Sequence, residues 1–178
     1  SLVTRSTGFF GSIMGMPIAA GNLFIGSFDV GNAMSNPLKA TKFGLPFRHI
    51  PTYLAGYYKY KAGDQFTEGG KRDICDIYAI MYETSESVPT LDGTNAFTSP
   101  NLVSIARIDD AKETDEWTYF KLPFHMLSGK YIDKEKLTAG KYNVAIVFTS
   151  SLEGDHFNGA IGSTLLIDEV ELIYRSED

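Results

Sequence analysis

Leu54–Gly63 reads LAGYYKYKAG, with Tyr57, Tyr58, Lys59, Tyr60 and Lys61 following one another without a break. Aromatic residues favour pleated strands, and successive side chains of a strand point to opposite faces. Tyr57, Lys59 and Lys61 then share one face, and Tyr58 and Tyr60 the other. The first face is too bulky for a simple loop and too polar for a plain core. Lysines on an exposed strand also deter edge pairing, so the same letters fit a merely solvated face.

The reading extends outward from this strand. Asn22–Phe28, Tyr53–Lys61, Ile74–Glu83, Leu102–Ile108, Trp117–Phe124, Tyr142–Ser150 and Ser163–Tyr174 are rich in β-branched or aromatic residues. Turn formers such as Ala62-Gly63-Asp64, Gly69-Gly70, Asp92-Gly93 and Gly154-Asp155 separate them. Many strands with turns between them predict an all-β, antiparallel sandwich or barrel. The apolar centre of YNVAIVFTS predicts a central strand covered on both faces. Only Ile132–Leu137 reads as helix, a short turn before Gly140. Gly31–Pro51, with Pro37, Pro46 and Pro51, reads as a long loop, and such loops are often functional. With no linker and no internal repeat, residues 1–178 are expected to form one domain.

A net charge of −6 argues against nucleic acid, which attracts clustered positive charge, and against an anionic membrane surface. Cys75 is the lone cysteine, so no intrachain disulfide is possible, and it reads as a small buried hydrophobe. Phe9–Phe28, FFGSIMGMPIAAGNLFIGSF, carries no charge and is long enough to imitate a membrane span or a secretion signal. Gly11, Gly15, Gly21 and Gly26, with Pro17 and Asn22, weaken a continuous helix there, so two short strands and a turn are expected instead of a span.

Two other strands repeat the mixed face of the first, as Asp76/Tyr78/Tyr82 and Trp117/Tyr119/Lys121. Aromatic planes beside carboxylate and ammonium groups suit a carbohydrate, whose C–H faces stack and whose hydroxyls need placed polar partners. If the three faces adjoin, Tyr57, Tyr78 and Trp117 line the site and Lys59 and Asp76 bond hydroxyls. The loop Gly154–Asn158, with Asp155 and Asn158, closes one side. A lone Trp in a sandwich is also often a core anchor. Two other readings stand beside this one: a glycoside hydrolase using Asp76 or Asp155 with a second acid, and a structural module without a sugar site. No catalytic residue is assigned, since GxGxxG, P-loop, HExxH and GxSxG patterns are all missing. His49, His125 and His156 lie far apart, and no metal site is assigned. The one cation considered is a structural calcium at Asp168 with Asp29, against a hydrogen-bonded Asp at a strand bend. The run Asp109, Asp110, Glu113, Asp115 and Glu116 reads as a solvated loop.

MGMPIAAGNLFIGSFD, NPLKATKFGLPF, LAGYYKYKAG, CDIYAIMYE, GKYNVAIVFTSS and GDHFNGAIGSTLLIDEVELIY together resemble the putative carbohydrate metabolism domain family, common in gut Bacteroidetes, over Phe9–Tyr174. The resemblance implies a two-sheet antiparallel β-sandwich of jelly-roll type, similar to the galactose-binding-like modules attached to glycoside hydrolases. It implies a carbohydrate-related role with an oligosaccharide or polysaccharide as partner; apart from the calcium considered above, no cofactor is expected. It further implies an exported protein, periplasmic or at the cell surface, lipid-anchored in some full-length forms and preceded by an immunoglobulin-like domain.

Overall fold

The computed structural model describes residues 1–31, 33 and 35–175. In chain order the elements are β1 (Leu2–Val3), β2 (Arg5–Ser6), α1 (Gly8–Ile13), β3 (Ile18–Ala19), β4 (Asn22–Phe24), β5 (Gly26–Phe28), α2 (Pro37–Ala40), β6 (Thr41–Phe43), β7 (Leu45–Pro46), β8 (Ile50–Lys61), β9 (Asp76–Glu83), β10 (Leu102–Arg107), β11 (Thr114–Pro123), β12 (His125–Met126), α3 (Lys134–Thr138), β13 (Tyr142–Thr149) and β14 (Thr164–Arg175). A four-stranded sheet runs β1-β14-β8-β11. A six-stranded sheet runs β12-β10-β9-β13-β4, with β7 also on β13. Every pairing is antiparallel. From β7 on, the chain passes from one sheet to the other between β7 and β8, β8 and β9, β10 and β11, β11 and β12, and β13 and β14, an order compatible with a jelly roll. Among the described residues no helix is long and apolar enough to cross a membrane.

The period-2 alternation of the strands builds the core between the sheets. Leu54, Tyr58 and Tyr60 of β8 and Phe120 and Leu122 of β11 meet Ile77 and Ala79 of β9 and Ile146 and Phe148 of β13. Cys75 lies in this cluster, where burial, and after it the charge of Asp76, pushes its thiol up to about 12. So little thiolate at neutral pH makes it a poor nucleophile. As the apolar run of β13 predicts, all eight of its residues are buried.

The structure corrects the sequence reading at three places. The face of β9 carrying Asp76, Tyr78 and Tyr82 was expected to meet water, yet seven of the eight β9 residues are buried. Phe43 of β6, with Leu91 and Ala96 from the segment after β9, covers Tyr78, Ile80 and Tyr82, forming a second core outside the six-stranded sheet. The expected strand Asn22–Phe28 is two strands. It breaks at Ile25, and from Gly26 (φ 151°), where a Cβ would lie 1.9 Å from the Lys42 carbonyl oxygen, the chain leaves β13 to pair with β6. Finally, α1 stands where strand and turn were expected, and α2 sits inside the proposed Gly31–Pro51 loop. Residues 32 and 34 of that loop lie outside the described residues. The expected helical turn near Ile132–Leu137 is α3, and Asp133 caps it by accepting from the Lys136 N–H at 2.9 Å.

Candidate functional site

The outer face of the four-stranded sheet collects the first of the mixed patterns. β8 lies between β14 and β11, so each outward β8 residue has a neighbour on both sides. Tyr57 pairs with Tyr119 and Asp168, and Ala55 with Lys121 and Glu171. The Tyr57 and Tyr119 rings lie 5.3 Å apart at 54°. Lys59 Nζ sits 5.2 Å from the centre of the Trp117 ring, and Lys121 Nζ 4.5 Å from that of Tyr53. These are cation–π distances, and they hold both ammonium groups against ring faces. Tyr53, Trp117 and Tyr119 remain 37%, 46% and 53% exposed. Trp117 is therefore no core anchor: strand alternation places it outside while Phe120 and Leu122 of the same strand go in.

β11 is the edge of its sheet, and β10, with the short β12, forms the matching edge of the other. Between them opens a cleft of about 600 Å³, lined in part by Arg107, Asp109, Asp110, Tyr119, Lys121 and His125. The acidic run read as a solvated loop thus supplies one wall. Glu113, also on that wall, is held by Arg72, with Nη2–Oε1 at 2.6 Å and Nε–Oε2 at 2.8 Å. It also accepts the Ala62 N–H at 2.9 Å, and these bonds, the Arg72 pair first, hold its carboxyl below the usual carboxylate range. A smaller recess of about 320 Å³ lies elsewhere, with Glu83, Asn101, Tyr131 and Lys136 on its wall.

Asp76 and Tyr78 do not join Tyr57, Lys59 and Trp117. They belong to β9, in the other sheet, and point away from the inter-sheet core. Asp76 is 4% exposed and clamped by Arg107, with Nε–Oδ1 at 3.1 Å and Nη2–Oδ2 at 2.6 Å. Burial raises the Asp76 pKa, the Arg107 hydrogen bonds and charge lower it without cancelling that, and Asp155 adds a like charge. The Arg107 guanidinium lies 4.3 Å from the Phe97 ring centre and 5.7 Å from that of Tyr78, and the Tyr78 and Phe97 rings are 4.7 Å apart. Burial, with the Asp76 charge next, also pushes the Tyr78 hydroxyl up. The expectation of one hollow lined by all five residues therefore fails. Sheet membership, which a single strand's pattern does not encode, separates them.

The loop Gly154–Asn158 divides too. Asp155 approaches Asp76 electrostatically and pairs with His156 Nδ1 at 2.7 Å. Asn158 turns elsewhere, its amide donating to Glu68 at 3.0 Å and to Glu153 at 3.4 Å. Asp168 sits in an exposed bulge of β14, where its Oδ1 accepts the N–H of Glu169, a residue at φ 47°. That is the hydrogen-bonded Asp at a strand bend. Asp29 lies after β5, on another sheet, and accepts the Gly31 N–H at 3.0 Å. No group of three or more His, Cys, Asp or Glu among the described residues is arranged to hold a metal.

Sequence reasoning placed Tyr119 and Lys121 on the right face without choosing them, and it missed Arg107 and Phe97. Arg107 falls within the expected strand Leu102–Ile108, but its place opposite Tyr78 is set by the β9–β10 register, which the sequence does not encode locally. Phe97 sits in an aperiodic loop and left no signal.

The chain belongs to the putative carbohydrate metabolism domain family, whose model matches residues 1–173. It is similar to a Bacteroides thetaiotaomicron VPI-5482 protein of known crystal structure, described as a putative glycoside hydrolase, at 97% identity and a TM-score of 0.97. That match covers 98% of this chain and 53% of the other, so the chain spans about half of that relative's length. A second, from Bacteroides vulgatus ATCC 8482 and described in the same words, is 52% identical with a TM-score of 0.91, over 97% of this chain and 71% of that one. No curated protein matches. Family and relatives together point to a carbohydrate-related role.

Proposed function

We propose that this chain is a carbohydrate-binding accessory domain that holds a glycan against the outer face of the four-stranded sheet, over Trp117, Tyr57 and Tyr119 and toward the cleft at the β11 edge. The exposed rings of Tyr53, Trp117 and Tyr119, fixed on one pleated face with two ammonium groups against them, carry this reading. A sugar ring stacks its C–H face on such planes, while Lys59, Lys121 and Glu171 offer donors and an acceptor to hydroxyls. Calorimetric titration with a panel of oligosaccharides tests it. For any glycan that binds, Trp117→Ala and Tyr119→Ala each weaken affinity about tenfold or more, the order expected for one lost aromatic contact. Asp76→Asn, on the other sheet, leaves affinity unchanged. Full affinity in both aromatic variants removes the glycan from this face.

Glycoside hydrolysis is a second reading, favoured by the raised pKa of buried Asp76 and by Asp155 within its field. Such chemistry needs one protonated and one ionised carboxyl flanking the bond. Release of sugar from labelled oligosaccharides, abolished by Asp76→Asn, would support it; no turnover by the unaltered chain would end it.

A further inference from the structure

The uncharged run Phe9–Phe28 takes no part in the glycan face. Its first half forms the tip of an arm. β2 and β3 pair through Arg5↔Ala19 and Ser6↔Ile18, and α1 closes the end. The tip is braced from within: the Thr7 N–H donates to the Pro17 carbonyl at 3.2 Å, the Met16 N–H to the Gly11 carbonyl at 2.9 Å, and the Thr7 hydroxyl to the Met16 carbonyl. Gly11 permits this closeness, since a Cβ there would lie 2.2 Å from Thr7 Oγ1. On the outside, Phe9, Phe10, Ile13 and Met14 are 84%, 69%, 65% and 56% exposed. Their i, i+1, i+4, i+5 spacing gathers them on one side of the helical turn. Contiguous large apolar groups that exposed mark an interaction surface. With no cation in the run and a net charge of −6, nothing draws this tip to an anionic membrane.

We propose that the α1 tip docks onto an apolar, uncharged surface of the polypeptide that the longer relatives carry outside the span matched here. Chain length is the argument for this occupant: the matched span is 53% of one relative and 71% of the other, so each has further polypeptide for a preformed tip to close upon. Because the tip is braced by its own hydrogen bonds before contact, docking orders little new chain.

Anilinonaphthalene sulfonate fluorescence and amide hydrogen exchange test it, on this 178-residue chain and on the longer B. thetaiotaomicron protein. This chain should enhance the dye, and Phe9→Ser/Phe10→Ser should remove most of the enhancement without moving the urea midpoint. Ile13→Ser/Met14→Ser serves as the independent second variant. In the longer protein the dye signal should be small, and the amides of the α1 tip should exchange about tenfold or more slowly than in this chain. Equal dye signal and equal exchange in the two proteins would overturn the proposal. So would a dimer of this chain lost in Phe9→Ser/Phe10→Ser, which assigns the tip to a second copy, or variant-sensitive sedimentation with phosphatidylcholine vesicles, which assigns it to a membrane.

Discussion

Asp73→Ala is expected to lower the unfolding free energy by about 3–5 kcal/mol, a large share of the roughly 5–15 kcal/mol that holds a typical domain. Asp73 is 3% exposed. Its Oδ2 accepts from Ser151 Oγ at 2.6 Å, Ser163 Oγ at 2.7 Å and the Ala160 N–H at 2.8 Å, and its Oδ1 accepts from the Ile74 N–H at 2.9 Å. The node spreads further. Thr4 Oγ1 meets Ser150 and Ser151 Oγ at 2.7 and 2.6 Å, the Gly63 N–H donates to Ser163 Oγ at 3.0 Å, and Tyr60 donates to the Ser150 carbonyl at 3.1 Å. It therefore ties the ends of β8 and β13 to the N-terminal segment and to the start of β14. Alanine leaves the Ala160 and Ile74 amides without their acceptor, and a buried unpaired donor costs about 1–3 kcal/mol. The two serine hydroxyls can rotate to other partners; the amides cannot. Asp73→Asn keeps one carbonyl oxygen and should lose less. Urea unfolding reads the effect as a shifted midpoint at constant slope. A loss below about 1 kcal/mol would mean that water replaces the carboxylate without penalty.

Arg107→Ala should cost about 2–4 kcal/mol at neutral pH, below the usual range for a broken buried pair because the Arg107 side chain keeps 39% exposure. The loss comes from leaving the Asp76 carboxylate buried and unpaired. Adding Asp76→Asn to Arg107→Ala removes that charge and should recover most of the loss, and the recovery measures the coupling. The pH dependence has a definite sign. Burial raises the Asp76 pKa in the folded chain, and Arg107 is the main opposing influence. Without Arg107 the folded pKa rises further. The folded variant then holds a proton that the unfolded chain has released, so stability falls as pH rises through the folded pKa. The deficit of Arg107→Ala should shrink on acidification from pH 7 toward 4 and vanish from the profile of the double variant. A deficit independent of pH would place the effect in lost Arg107 packing on Phe97.

The alternation rule carried β8 and β11 well. Tyr57, Lys59, Trp117, Tyr119 and Lys121 do share an outer face, because β8 and β11 pair side by side and alternation turns their other side chains into the core, leaving Trp117 and Tyr119 46% and 53% exposed. The same rule failed on β9, whose Asp76/Tyr78/Tyr82 pattern looks like a wet face. Those polar atoms are satisfied locally: Tyr82 donates to the Phe43 carbonyl and Asp76 pairs with Arg107, so the strand tolerates a lid of residues from β6 and the segment after β9. Neither the lid nor the sheet to which each strand belongs has a local signature, since both depend on crossovers between distant segments. Asp73 escaped notice for the same reason. Its four donors come from residues 74, 151, 160 and 163, and the sequence shows only an acid among turn residues.

Trp117 is the chain's single tryptophan, so its emission reports on the aromatic face alone. The decisive measurement is a glycan titration of Trp117 fluorescence with acrylamide quenching, run beside calorimetry on the same sugar. A bound glycan should shift the emission and shield the indole from the quencher with the dissociation constant that calorimetry gives. Heat of binding with unchanged emission and undiminished quenching would place the sugar elsewhere and contradict recognition on the four-stranded sheet.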